Sequence, residues 1–463
     1  VPDLSQPVTA PPPGDEPLGQ NRDFRTLIVS QTVSGLGDAV SSTAMPLLVL
    51  ALTGSGIAMG LIGALNTGAD FLMGTVAGAL ADRGDRKRMM LGADLGRALL
   101  TALIPLTDLL GGPTMVVIVI VTAPMAILRG FFRAGYIASI PNLVGRSQLA
   151  RGNGILETAY STSFIVGPAI AGFLVSVIGP GPTLAVDAAS FAFSAVGLFL
   201  IRREMRAPVV AQRGRMVDDI REGFAFVAGS PVLRTVILLF ASTSAVLAPI
   251  GAAMTFRVVH DLGLAPAAFG LTLSGLGVGT LAGSVLATRL GHGSNIARVM
   301  VLAVLVMGAP LIAIAAFDSL PVIVALTALT GAGEAALVIT YVSVRAANSP
   351  DRLVGRIGST ARVMALGLMP IGSLIGGVLI DTIGGTETVA VLGVAMCLLA
   401  LAFSQVRGLR AASLAPGLAA ATAAPGSTFL RDPLNPAEEE LADERPLTRR
   451  ATLSADAPSE RKA

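Results

Sequence analysis

The chain has no tryptophan, one cysteine, two histidines and three tyrosines among its 463 residues. Each scarcity excludes something. With Cys397 alone, no disulfide can form within the chain and a thiolate metal site lacks a second ligand. His260 and His292 fall in different loops, and no paired-histidine or Cys-x-x-Cys spacing occurs. No metal and no other cofactor is therefore expected. The only lysines are Lys87 and Lys462, and neither follows a glycine. The Gly-Lys-Ser/Thr phosphate loop of an ATP-driven pump is thus missing. Charge is sparse as well, at 14% of residues against about 25% in a soluble domain. The net charge of +3 comes from basic residues scattered over many short loops, which gives no reason to expect a nucleic-acid partner.

What the chain has in abundance is apolar surface: 53% of its residues are hydrophobic and the mean hydropathy is +0.74. Repeated apolar runs of about 20 residues read as membrane-spanning helices, so the lipid bilayer is the first partner. Twelve spans are predicted, over 25–51, 57–81, 89–109, 115–140, 154–178, 182–202, 231–256, 265–288, 296–317, 321–345, 358–380 and 388–406. One set of alternate loops carries Arg83, Arg86, Lys87, Arg88, Arg146, Arg151, Arg202, Arg203, Arg206, Arg352 and Arg356. The other carries Arg257 with Asp108, Asp261, Asp318, Asp381 and Glu387. Basic loops stay in the cytoplasm, so both termini are expected there, in a multi-pass protein of the cytoplasmic membrane.

The spans divide six and six. Residues 1–24 form a Pro-rich cytoplasmic tail with no cleavable apolar core, and the first span can direct insertion itself. An N-terminal six-helix bundle is expected over 25–202 and a C-terminal one over 231–406. Between them, 203–230 is Arg-rich and then amphipathic from Met216 to Val227, which suits a helix at the cytoplasmic interface. From 407 to 463 the Ala/Pro-rich composition cannot bury a core, so a disordered cytoplasmic tail is expected. The halves also repeat. Gly74-Thr-Val-Ala-Gly78 answers Gly279-Thr-Leu-Ala-Gly283 at an offset of 205, and Leu143-Val-Gly-Arg146 answers Leu353-Val-Gly-Arg356 at 210. Ala171 to Gly179 answers Gly376 to Gly384, again at 205. Three matches in one order point to parallel six-helix repeats that rock about a central site.

Charged residues inside the runs are candidates for function, because an intramembrane charge costs several kcal/mol unless it is used or paired. Asp38 lies mid-depth in the first span, on a face shared with Gln31, Ser34, Gly35, Ser41 and Ser42. Such a face lines water or another helix, not lipid. Glu334 in the tenth span has a shorter stripe of Thr327, Thr330 and Gly331, with Tyr341 two turns on. Arg129, Arg133 and Tyr136 share a face of the fourth. Asp70 reads as a buried partner for Arg97 or a polar contact between helices, while Glu157 and Asp187, near span ends where solvated positions are cheap, read as structural.

Between the second and third spans, six charges fall within the seven residues 82–88. The pattern Gly78-x-Leu80-Ala81-Asp82-Arg83-x-x-Arg86-Lys87 resembles the corresponding loop of the major facilitator superfamily, with Asp85 where that signature has glycine. In the fifth span Gly154, Gly167-Pro168, Ala171 and Gly172 resemble the motif of its exporters, with Ser163 and Ala171 replacing glycines. Together with Ile140 to Val144 and Leu184 to Phe191, the likeness covers roughly 25–406 and is similar to the drug, macrolide and siderophore exporter branch.

The resemblance implies an all-α integral membrane fold of twelve helices in two pseudo-repeats, acting as a monomer and not as an enzyme. It places the first, fourth, seventh and tenth helices around a central cavity. Asp38 and Glu334 are then the proton-coupling acids, with Arg129, Arg133, Gln31 and Tyr341 supplying substrate contacts and charge balance. A fixed ion pair that only sets helix packing is the alternative. Gly78, Asp82, Arg83 and Arg86 become a cytoplasmic gate, with Asp82 meeting the positive end of the eleventh helix near Ser359. Gly167, Pro168 and Gly172 become the exporter-type kink. The implied activity is efflux of a small molecule, coupled to protons or another cation. Import on the same fold and a non-transporting membrane sensor remain as alternatives.

Overall fold

The computed structural model describes residues 17–81, 84–112, 114–205, 216–290, 296–350 and 353–410. Within them are twelve helices long and apolar enough to cross a membrane. The first half holds Arg22–Thr53, Gly56–Ala81, Arg86–Leu109, Met115–Leu143, Leu149–Ile178 and Pro180–Leu200. The second holds Pro231–Asp261, Pro266–Leu290, Ile296–Ala316, Leu320–Ala347, Val354–Ile383 and Gly385–Ser404. Side chains such as Leu99, Val116, Phe173 and Phe199 stay exposed on the outside, as lipid-facing residues must.

Local signals explain several boundaries. Asn21 caps the first span by accepting from Phe24 N at 3.0 Å, and its amide donates to Leu143 O at the end of the fourth. Asp85 caps the third by accepting from Arg88 N at 3.1 Å, which gives a local reason for an acid where the family motif has glycine. Lys87 donates to Phe199 O and Ile201 O, closing the otherwise unsatisfied end of the sixth span. Between the halves, Met216–Gly229 is helical, and Glu222 pairs with Arg356 at the start of the eleventh span.

The seventh span departs from its expected 231–256. Its α-helix ends at Leu247, just before Pro249, resumes over Ile250–Thr255 and finishes in a π-helical turn, Phe256–Asp261. The added turn carries Arg257, read from sequence as a loop residue. It is buried, and its guanidinium donates to Phe317 O and to Asp318 Oδ1 at 2.7 Å.

The core is in three parts. At the end holding the 54–55, 179, 262–265 and 384 loops, one cluster joins both halves, including Leu48, Met59 and Val175 with Met254, Phe269 and Ile380. At the end holding the 17–21, 201–205 and 216–230 segments, each half keeps its own cluster. One is built on Phe24, Met90 and Leu198, the other on Val236, Met300 and Met396. The halves therefore pack together at the first end and part toward the second.

Two helix pairs make the junction, the second with the eleventh and the fifth with the eighth. Both depend on missing side chains. A Cβ on Gly60 would stand 2.5 Å from Ser373 O, and one on Gly270 would stand 2.2 Å from Pro168 O. Phe71 still meets Gly367, and Phe164 still meets Gly277. One turn further, Tyr160 is 62% exposed and Leu281 is also exposed, so the halves have separated at that level.

Candidate functional site

In the first half the intramembrane charges are shared out differently from the expected pairing. Arg97, 2% exposed, lies between the rings of Phe132 and Phe191, with 4.4 and 4.2 Å from guanidinium to ring centre. It bonds Asp94 on its own helix, and its Nη1 lies 3.8 Å from Asp38 Oδ1. Asp38 has a side chain 46% exposed and is the open member of this group. Of the two readings of Asp70, the polar contact between helices is the one found: it is bonded by Arg129 at 3.2 Å, and Arg129 also donates to Asn66. The physical reason is register. Asn66 and Asp70 are one turn apart and present two acceptors on one face to a single guanidinium.

Arg133 is exposed and has no ion pair among the described residues. Arg362 of the eleventh span is also exposed, and the charges of Arg133 and Asp70 reach it from the other half. Sequence reasoning missed Arg362, although a lone arginine in an apolar run was the available signal. Gln31 is half-buried and donates to Ser194 Oγ of the sixth span at 3.2 Å. Asp187, read as a solvated position near a span end, is fully buried. The first helix lies against it at Gly37, and Ser41 and Ser190 donate to its carboxyl.

In the second half, Glu334 lines a cavity of about 290 Å³ whose other walls include Phe164, Phe240, Met254, Leu276, Thr330 and Met369. The carboxyl is half-buried and has no hydrogen-bond or ion-pair partner among the described residues. Tyr341, expected to line the cavity, is instead 3% exposed in the core of this half. Its ring stacks on Phe240 at 4.1 Å, backing a wall residue, and Arg345 lies over it. Two turns along a helix take a side chain out of a site that periodicity alone would keep it in.

The helix containing Gly167 and Pro168 is continuous from Leu149 to Ile178. Gly167 faces Ala39 of the first span, whereas Gly172 faces Pro266 and Gly270 of the eighth. These small residues thus allow close contact both within the first half and across the junction. Of the hairpin, Asp82 and Arg83 lie outside the described residues, and Gly78 belongs to the helix Gly56–Ala81. Arg86 donates to Ala138 O at 2.7 Å and Asn142 Oδ1 at 2.8 Å, both on the fourth span.

At the packed end, Asp381 at the close of the eleventh span accepts from Gly56 N, Ile57 N and Ser55 Oγ at the start of the second. In the other helix pair Ser176 Oγ accepts from Ala267 N at 3.1 Å. Ser176 and Asp381 are 205 positions apart, the offset of the repeat that contains them. Each half therefore closes on the other's helix start by the same device.

The comparisons with known proteins agree with this architecture. Residues 16–422 match the family described as transmembrane secretion effector. The chain is 27% identical over 399 residues to the multidrug efflux pump Tap of Mycolicibacterium fortuitum, covering 84% of this chain and 97% of that one. It is 29% identical over 409 residues to Tap of Mycobacterium tuberculosis, covering 86% and 96%. Macrolide efflux protein A of Streptococcus pyogenes is 24% identical over 406 residues, covering 84% and 97%. Among solved structures, the nucleoside transporter NupG superposes with a TM-score of 0.72 at 11% identity, covering 83% of this chain and 100% of that one. A bacterial homologue of the lysosomal transporter Spinster, in an inward-facing form, gives 0.63 at 15%, covering 84% and 95%. These two likenesses concern the fold. Twelve spans in two halves, intramembrane charges and the family match lead to one conclusion: the chain belongs to the transmembrane secretion effector family, and is a transporter of the major facilitator type.

Proposed function

We propose that this transporter exports a small amphipathic molecule from the cytoplasm, acting as a monomer in the cytoplasmic membrane and driven by inward-moving protons. The observation that carries the reading is Glu334, a carboxyl without a partner among the described residues, in an otherwise largely apolar cavity. An unpaired carboxyl there is held neutral or met by a cationic guest, because a bare charge in such surroundings is costly. Binding of a cationic cargo and binding of a proton then compete for one group, which is the requirement for antiport. Asp38, open on one side and touching Arg97 on the other, is the second exchanging acid.

Export is supported by the names of the relatives, which are efflux pumps. On the positive-inside argument the termini are cytoplasmic, so the described conformation opens inward and the Asp381 clamp closes the outer side. The hairpin of Gly78, Asp82, Arg83 and Arg86 takes its part in the opposite, outward-facing form. One proton entering across 100 mV supplies about 2.3 kcal/mol, enough for a gradient approaching fiftyfold at about 1.36 kcal/mol per decade.

The test uses inside-out vesicles from cells making the full chain, with ethidium as the cationic probe. Acidifying the lumen should drive ethidium inward, and Asp38→Asn should abolish that movement while ethidium exchange at equal pH persists. pH-driven accumulation by Asp38→Asn would remove Asp38 from the mechanism. A second reading, in which the cargo bears an anionic group, is favoured by Arg129, Arg133 and Arg362. It would show as transport of an anionic dye in preference to ethidium.

A further inference from the structure

The first half buries more acid than the exchange just described employs. Asp187 is 0% exposed, and its two oxygens accept only from the hydroxyls of Ser41 and Ser190. Among the described residues no cation bonds it. Asp94 on the third span is equally inaccessible: one oxygen takes Arg97, and Oδ2 has no hydrogen-bond partner. Arg97 Nε is likewise buried without one. Charged and titratable groups reach this cluster from each helix around it. They are Asp38 on the first, Asp94 and Arg97 on the third, Asp187 on the sixth, Arg129 on the fourth and Tyr160 on the fifth.

Counting charge decides the protonation. The cluster holds three carboxyls, Asp38, Asp94 and Asp187, for one guanidinium, and Arg129 is already held by Asp70 and Asn66. Full ionisation would leave two uncompensated negative charges within the membrane, at several kcal/mol each. Arg97 balances Asp94 by direct contact, and Asp38 has solvent access. Asp187 has neither, only neutral hydroxyls that can serve a carboxylic acid as readily as a carboxylate.

From this arrangement, and building on the proton-coupled reading above, we infer that Asp187 stores the coupling proton and Asp38 is its port, with Arg97 as the shared counter-charge. The step is a bare proton transfer. The Asp187 carboxylic acid gives its proton to the Asp38 carboxylate, Asp187 becomes the anion, and Asp38 becomes neutral. Neutral Asp38 no longer draws on Arg97 from 3.8 Å, so the guanidinium, still bonded to Asp94, has one anion fewer to share with the new charge on Asp187. Reloading runs the same step backwards once Asp38 meets a proton from the other side of the membrane. The three acids and Arg97 thus keep a constant net charge while the proton changes place.

The test has two arms, both on the purified full chain. In proteoliposomes with ethidium, Asp187→Asn should lose pH-driven accumulation and keep exchange at equal pH. Accumulation by this variant would overturn the inference. In infrared difference spectra between neutral and alkaline pH, the wild type should show the loss of a neutral carboxyl band. That band should be missing from Asp187→Asn and displaced in Asp187→Glu. An Asn-variant spectrum identical to the wild type would also overturn it, as would an undisplaced band in the Glu variant should the Asn variant fail to fold. Absence of pH-driven ethidium transport in the wild type would instead strike at proton coupling, leaving the infrared arm to decide whether Asp187 holds a proton.

Discussion

At the scale of single residues, Arg97 and Glu334 are opposite cases. Arg97 is a buried cation with two rings and two acids around it, so its removal strands Asp94 without a counter-charge. Breaking such a buried pair costs about 3–5 kcal/mol, and Arg97→Met should lower yield and thermal stability together with all transport. Glu334 has no partner to strand among the described residues. Glu334→Gln should leave the unfolding temperature unchanged or raise it, while ethidium binding to the purified protein falls sharply. A large loss of stability in Glu334→Gln would mean that the carboxyl has a structural partner. Asp38 was legible in the sequence because one acid interrupts a long apolar run. Its counterpart was not, since helical periodicity says which face a residue occupies and not which neighbouring helix that face meets. For the same reason the burial of Asp187 is not legible, since closeness to a span end does not say what covers a side chain there.

Among the helices, the junction is the informative feature. The repeat visible in sequence, Ala171 to Gly179 against Gly376 to Gly384, contains the two residues, Ser176 and Asp381, that close the packed end. Their partners could not be read from the chain, because nothing local says that Asp381 will meet the start of the second span. The charge of a carboxylate at a helix start contributes about 0.3–1 kcal/mol beyond its hydrogen bonds. Asp381→Asn should therefore favour the form in which this end is open, read as greater labelling of a cysteine replacing Ile380, buried against Gly56 at this junction, on a Cys397→Ala background. Joining the two helices should do the reverse. Ser55 Oγ lies 2.7 Å from Asp381 Oδ2, so Ser55→Cys with Asp381→Cys should cross-link under oxidation and stop transport, with recovery on reduction. Transport by the fully cross-linked protein would show that this junction does not open during the cycle. Span limits were legible to within a few residues except in the seventh. There Arg257 reads as a loop residue because its carbonyl and carboxylate acceptors come from the far end of the ninth span and beyond.

For the whole molecule, one shared core at one end and two separate cores at the other describe a body open on a single side. The side that opens carries the basic loops, which makes orientation a test of the account. A reporter fused after residue 410 should be cytoplasmic and one inserted beside Asp318 should not; finding both on one side would contradict the topology. The central claim is that a proton gradient and the movement of cargo are the same event in this protein. The most direct measurement is ethidium movement into inside-out proteoliposomes containing only the wild-type chain, with a lumen more acidic than the bath and the membrane potential clamped. The account predicts uphill accumulation that collapses when a protonophore is added, accompanied by alkalinisation of the lumen as protons leave. Uphill ethidium accumulation that survives the protonophore, or a proton flux indifferent to ethidium, would contradict it.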